Sequence, residues 1–171
     1  CALPIYGASL FGLSEPDYRK VSSNFKGENN SSQQSQSLKI DYEINDAFQL
    51  TSVTSRRVFN DTLTNDFDFI NATLMHSDKD GEYSILSQEL RLNYDNGGVK
   101  WVAGVYGDKD EVDFYAETCS DYPSMAGVKD RDVDGTTYAV FTNLTYPLFQ
   151  RFNLTGGLRY ETTEKDFQDH I

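Results

Sequence analysis

Three stretches of this chain share one plan and stand at equal intervals. SLKIDYEINDAFQLTS places Leu38, Ile40, Tyr42 and Ile44 on one side and Ser37, Lys39, Asp41 and Glu43 on the other, crosses Asn45-Asp46, and resumes alternating. LSQELRLNYDNGGVKWVAGVYGD sets Leu86, Gln88, Leu90, Leu92 and Tyr94 against Ser87, Glu89, Arg91 and Asn93, turns at Asp95-Asn96-Gly97-Gly98, and returns through Trp101, Ala103 and Val105. YAVFTNLTYPLFQRFNLTGGLRYE carries Tyr138, Val140, Leu144 and Tyr146, turns near Pro147 to Arg151, and returns through Phe152, Leu154, Leu158 and Tyr160. A period of two is the side-chain period of a strand, and Asn-Gly between two such runs is a strong hairpin signal. Tyr42, Tyr94 and Tyr146, each the last aromatic before its turn, are 52 residues apart.

A hairpin with one oily face must bury that face in a core or in lipid. Helical membrane spans are excluded, because no run approaches the roughly 18 apolar residues they need and mean hydropathy is −0.57. A transmembrane barrel is compatible, since its strands alternate lipid-facing and lumen-facing residues. Each turn is bracketed by aromatics, with Phe48, Trp101 and Phe152 just after it. Between the hairpins the residues are polar, and long loops are expected at about Phe59 to Ile85 and Asp108 to Thr136. Short turns on one side, long loops on the other and an aromatic belt beside the turns form the connection pattern of outer-membrane barrels. A soluble antiparallel sandwich or hairpin solenoid explains the alternation equally well, and a propeller would need four strands per repeat.

Charge narrows the partners. With 15 Lys and Arg against 27 Asp and Glu, the net charge is −12, which argues against nucleic acid, whose phosphates need a basic surface. Two cysteines, Cys1 and Cys119, offer neither a disulfide framework nor metal-ligand spacing. His76 and His170 stand apart, no nucleophile motif or phosphate loop is present, and no enzymatic activity is expected. Asp130-x-Asp132-x-Asp134-Gly135 has the opening spacing of a calcium loop, but Phe141 stands where the bidentate Glu belongs. A weak Ca²⁺ site and a merely solvated acidic loop are the alternatives there. Residues 1–6 are expected to be non-native, because Ala2-Leu3-Pro4-Ile5 matches one reading frame of a common adapter end.

SQSLKIDYEINDAFQLTSVTSRR, SQELRLNYDNGGVKWVAGVYGDKDEVDF and YAVFTNLTYPLFQRFNLTGGLRYETTEKDF resemble successive barrel hairpins of TonB-dependent outer-membrane receptors. The order SQELRL, turn, W-x-x-G-x-Y, long loop, LTGGLRYE is similar to the branch that takes up iron complexes. The resemblance implies an all-β fold: an antiparallel transmembrane β-barrel of about 22 strands, of which residues 7–171 supply six or seven, without the plug domain. It implies import of a ferric siderophore or related iron complex, with cobalamin and oligosaccharide as other candidate ligands. The implied partners are outer-membrane lipid in a Gram-negative bacterium and the TonB energy-coupling complex, reached through the plug. No cofactor is implied. Lys39, Asp41, Glu43, Glu89, Arg91, Arg159 and Glu161 would face the lumen. Family ligands bind at loop tips and the outer mouth, making Arg56, Arg57, Tyr106 and Lys109 the candidate ligand contacts. The rivals are a passive porin-type channel and a soluble β-domain with a binding or adhesive role.

Overall fold

In a computed structural model, the structure describes Asn24 and residues 26–68, 74–121, 123–149 and 151–170. The expectation for residues 1–6 lies outside these. The described chain forms six antiparallel strands, β1 (Glu28–Glu43), β2 (Phe48–Asp66), β3 (Met75–Asp95), β4 (Lys100–Ser120), β5 (Gly127–Phe149) and β6 (Phe152–His170). They hydrogen-bond in sequence order as one curtain, β1 to β6.

The short turns fall where the sequence places them. Asn45 caps the first, its Oδ1 accepting from the Ala47 and Phe48 amides at 3.0 Å each. In the second, Asp95 Oδ1 accepts from Gly97 N at 2.8 Å, and Asn96 Oδ1 accepts from Gly98 N at 3.1 Å and Val99 N at 2.8 Å. Gly97 takes φ 83°, a left-handed conformation that a Cβ disfavours. The third turn differs slightly from expectation: β5 continues past Pro147 to Phe149 through a register shift before the chain reverses.

The expected long loops are corrected. β2 and β3 continue to Asp66 and from Met75, and β4 and β5 to Ser120 and from Gly127, so the connections at that end are 67–74 and 121–126. HSDKDGEY and DEVDFYAETC are strand. A strand wet on both faces is polar throughout, so its composition does not separate it from a loop.

Directly opposed residues of an antiparallel pair share a face, so the register sorts every side chain. Ile40, Ser52, Leu90, Val105, Val140 and Tyr160 form one cross-strand row, and Tyr42, Leu50, Leu92, Ala103, Thr142 and Leu158 the next. This outward face holds the apolar series named for all three hairpins, and no described residue covers it: Leu38 is 60% exposed, Val140 53% and Leu158 80%. The opposite, inward face carries Lys39, Asp41, Glu89, Arg91, Arg159 and Glu161, as expected. Among the described residues the only buried apolar side chains are Ala116 and Ala139, so there is no second layer and no core of the sandwich kind.

On β3 the outward apolar series runs from Leu86 to Tyr94, broken by Gln88; that is about nine residues, the length a tilted strand needs to cross a hydrocarbon layer. Several polar side chains in this band are paired within the wall. Trp101 Nε1 donates to Thr142 Oγ1 at 2.9 Å, and Gln88 Nε2 donates to Ser52 Oγ at 2.9 Å. Phe48 and Tyr94 pack with ring centroids 4.7 Å apart beside the turns. β1 and β6 each pair on one side only, leaving two open edges.

Two glycines are packing requirements. A Cβ on Gly104 would stand 2.5 Å from Phe141 Cζ and 2.8 Å from the Leu90 carbonyl oxygen. At Gly135 it would stand 2.1 Å from Asp110 Oδ1, so the glycine leaves the space which that carboxylate fills.

Leu90→Arg in the whole membrane protein is expected to cost about 2–4 kcal/mol in reversible unfolding from bilayers, as charge near the midplane of a lipid face does, whereas Glu89→Gln stays within about 1 kcal/mol. Gly104→Ala is expected to cost about 1–3 kcal/mol by overpacking against a backbone oxygen, read by the same unfolding measurement.

Candidate functional site

The inward face grades from paired charge to open charge. Near the short turns it is a closed network: Lys39 Nζ lies 2.7 Å from Asp41 Oδ2, Thr51 Oγ1 donates to Asp41 Oδ1 at 2.7 Å, and Asn93 Nδ2 donates to Thr51 Oγ1 at 2.9 Å. Arg91 reaches Glu89 at 3.2 Å, and Arg159 Nε donates to Glu161 at 2.9 Å. These pairs hold the wall's inner surface in a fixed polar pattern.

Farther from the turns lies a recess of about 410 Å³ lined by Ser35, Ser55, Arg57, Tyr83, Ser87 and Tyr106, among others. Four strands build it. Ser35 of β1, Arg57 of β2 and Ile85 of β3 are opposed in one row, and Tyr106 of β4 sits opposite Glu89. The Arg159 guanidinium stands 5.4 Å from the centre of the Tyr106 ring, a cation–π contact that fixes the ring. Among the described residues Arg57 has no ion-pair partner. Burial, then the negative charges of Asp110 and Asp108, push the Tyr83 phenol up from its usual range, while Arg57 works against them. The recess therefore offers one free guanidinium, serine hydroxyls and two phenols, a set suited to an oxyanion.

The four candidate contacts divide by face. Arg57 and Tyr106 point inward at this recess. Arg56 is opposed to Leu86, and Leu86 to Lys109, so both cations belong to the outward face. Arg56 touches the recess margin. Lys109 is held by Glu111 at 2.5 Å and Asp134 at 3.7 Å. Consecutive residues of a strand point oppositely, so Arg56 and Arg57 cannot share a site on one face.

Asp130, Asp132 and Asp134 lie in β5 rather than in a loop, all on the outward face. Same-face neighbours on a strand are roughly 6.6 Å apart, and carboxylates so spaced do not converge on one ion at calcium distances. Asp132 instead meets His170 at 3.2 Å, and among the described residues no three His, Cys, Asp or Glu side chains group as metal ligands. The glycine after this motif serves Asp110, a carboxylate only 8% exposed. Asp110 and Tyr83 escaped the sequence reading because each lies in a segment taken as loop.

A sequence profile of the family described as TonB dependent receptor-like, beta-barrel, matches residues 5–170. The chain belongs to this family, a family of receptors and transporters rather than enzymes, found in the outer membrane of Gram-negative bacteria. Among solved structures it is similar to the ferric yersiniabactin uptake receptor FyuA of Yersinia pestis, with a TM-score of 0.69 and 20% identity over 83% of this chain. The chain spans 22% of that receptor's length. No curated protein sequence matches it. The outward face is thus the lipid-facing wall of a barrel segment, and the inward face lines its interior.

Because the folded-state pKa of Tyr83 is raised, its stabilising contribution is complete below the free phenol pKa of about 10 and fades as pH rises through the higher folded value. In the whole protein, Tyr83→Phe is expected to remove one late-ionising phenol from the ultraviolet titration above that pH and leave the earlier part of the curve unchanged.

Proposed function

We propose that this chain is part of the barrel wall of an outer-membrane receptor that actively imports a ferric siderophore or related iron complex, with the Arg57 recess as a wall contact for the ligand. The observation that carries the reading is the Arg57 guanidinium, without an ion pair among the described residues, beside hydroxyl donors on the inward face. Iron chelates are commonly built with carboxylate, catecholate or hydroxamate oxygens, and such oxygens suit a guanidinium fork. The named uptake of yersiniabactin by the structurally similar receptor supports the iron reading. Cargo would dock from the end opposite the short turns, and energy would arrive through the TonB complex acting on a plug domain. Arg56 and Lys109, facing outward in the Leu86 row at the edge of the apolar band, fit contacts at the membrane surface better than contacts to cargo.

The test is uptake of ⁵⁵Fe complexes by cells that carry or lack the whole gene, with the energy-coupling complex intact or deleted. Accumulation that depends on both is expected. Uptake that persists without energy coupling would overturn active import and favour a passive channel. Arg57→Gln is expected to weaken binding of the transported complex about tenfold, the loss of roughly one charge-assisted hydrogen bond, while Arg56→Gln leaves it within about twofold.

A further inference from the structure

We propose a second anion subsite on the inward face, nearer the outer mouth, built by Lys79 and Lys129 and taking a small polyanion with a flat apolar body. Lys79 of β3 is opposed to Ala116 of β4, and Ala116 to Lys129 of β5, so the three residues stand in one row on one face. Two interstrand spacings separate the lysine backbones, about 10 Å. Ala116, buried and small, leaves the middle of the row low.

The notch is a recess of about 420 Å³ whose lining includes Ser77, Lys79, Phe114, Ala116, Met125 and Lys129. That is within the range of small-molecule sites. Phe114 lies in the adjacent row, between Gly81 and Arg131, and forms the apolar floor. Arg131 is taken up by Asp169, with Nε to Oδ1 at 2.5 Å; that pair lowers the Asp169 pKa and raises that of Arg131. Asp61, the inward acid opposed to Gly81, accepts from the Ser31 hydroxyl. Among the described residues neither Lys79 nor Lys129 makes an ion pair.

The contrast with the other face sharpens the assignment. At the same end the outward face carries Asp80, Glu82, Glu111, Asp113, Asp130, Asp132 and Asp134. On the inward face at that end Asp61, Asp108, Asp110 and Asp169 are matched by Arg57, Lys79, Lys129, Arg131 and Lys165, so in a chain of net charge −12 the excess of acids there lies outside. Such a field favours entry of anions along the inner wall and repels them from the outer one. The subsite rests on the reading of the inward face as the path of an imported ligand, and it stands nearer the outer mouth than Arg57, as a first point of capture.

The test uses the whole receptor in detergent and pyrene-1,3,6,8-tetrasulfonate, a fluorescent aromatic polyanion. Saturable binding that weakens with salt is expected. It should fall at least tenfold in the K79Q/K129Q double variant, recover in K79R/K129R, and change less than twofold in K109Q, an outward-facing lysine. Equal binding by parent and K79Q/K129Q, an equal loss in K109Q, or no saturable binding by the parent would overturn the subsite. Heat-modifiable gel migration reports whether each barrel has formed, and single variants are read by the same criteria if the double variant does not form one. Iron uptake is scored separately: cells that import no ⁵⁵Fe complex while K79Q/K129Q loses the dye would sink the iron reading and keep the subsite.

Discussion

A single layer of sheet has no interior, and that constraint orders everything else in this protein. Its backbone groups are satisfied only by neighbouring strands, and its side chains have only two places to go. With two small alanines as the buried apolar residues among those described, burial within the chain supplies almost none of the usual driving force for folding. The apolar face must find its stabilisation in hydrocarbon, and the open edges at β1 and β6 must find other strands, because unpaired backbone groups in lipid cost several kcal/mol each.

The same constraint explains the charge arrangement. Along the apolar band the outward side chains are mostly apolar or aromatic, and Trp101, Thr142, Gln88 and Ser52 there bond within the wall. Beyond the band the outward face turns acidic, with Glu111 opposed to Asp134 and Asp113 to Asp132. Like charges directly across a ladder are unfavourable, and water screening makes them tolerable only where both faces are wet. The inward face mixes polar and apolar side chains; it is closed into ion pairs near the turns, while among the described residues Arg57, Lys79, Lys129 and Lys165 make none. The proposed ligand contacts are among these cations.

Hairpin identity, the two faces and the aromatics beside the short turns were legible in the alternation and the 52-residue period, because lipid on one side and water on the other write a strong binary pattern; the family was legible only through the resemblance of three segments in their order. The outer halves of β2 to β5 were not legible. There water lies on both sides, the pattern loses contrast, and polar strand reads as loop. That one failure hid Asp110 and Tyr83, made Asp130, Asp132 and Asp134 look like a calcium loop, made Asp78-Lys79-Asp80-Gly81 read as a turn where the structure has strand, and left Lys129 unremarked. The mixture of Arg56 with Arg57 was avoidable, since continuing the alternation from Leu50 along β2 already separates them.

By itself, the sequence determined which residues alternate, where the tight turns fall and that one face of each hairpin needs an apolar surrounding, since these follow from a two-residue period and the chemistry of Asn, Asp and Gly. Tertiary structure alone decided the register across strands. Only register brings Arg57 and Tyr106 to one recess, places Lys79 and Lys129 on either side of Ala116, and lays the Asp110 carboxylate across Gly135, because these residues are far apart in the chain and come together solely through which backbone amide finds which carbonyl.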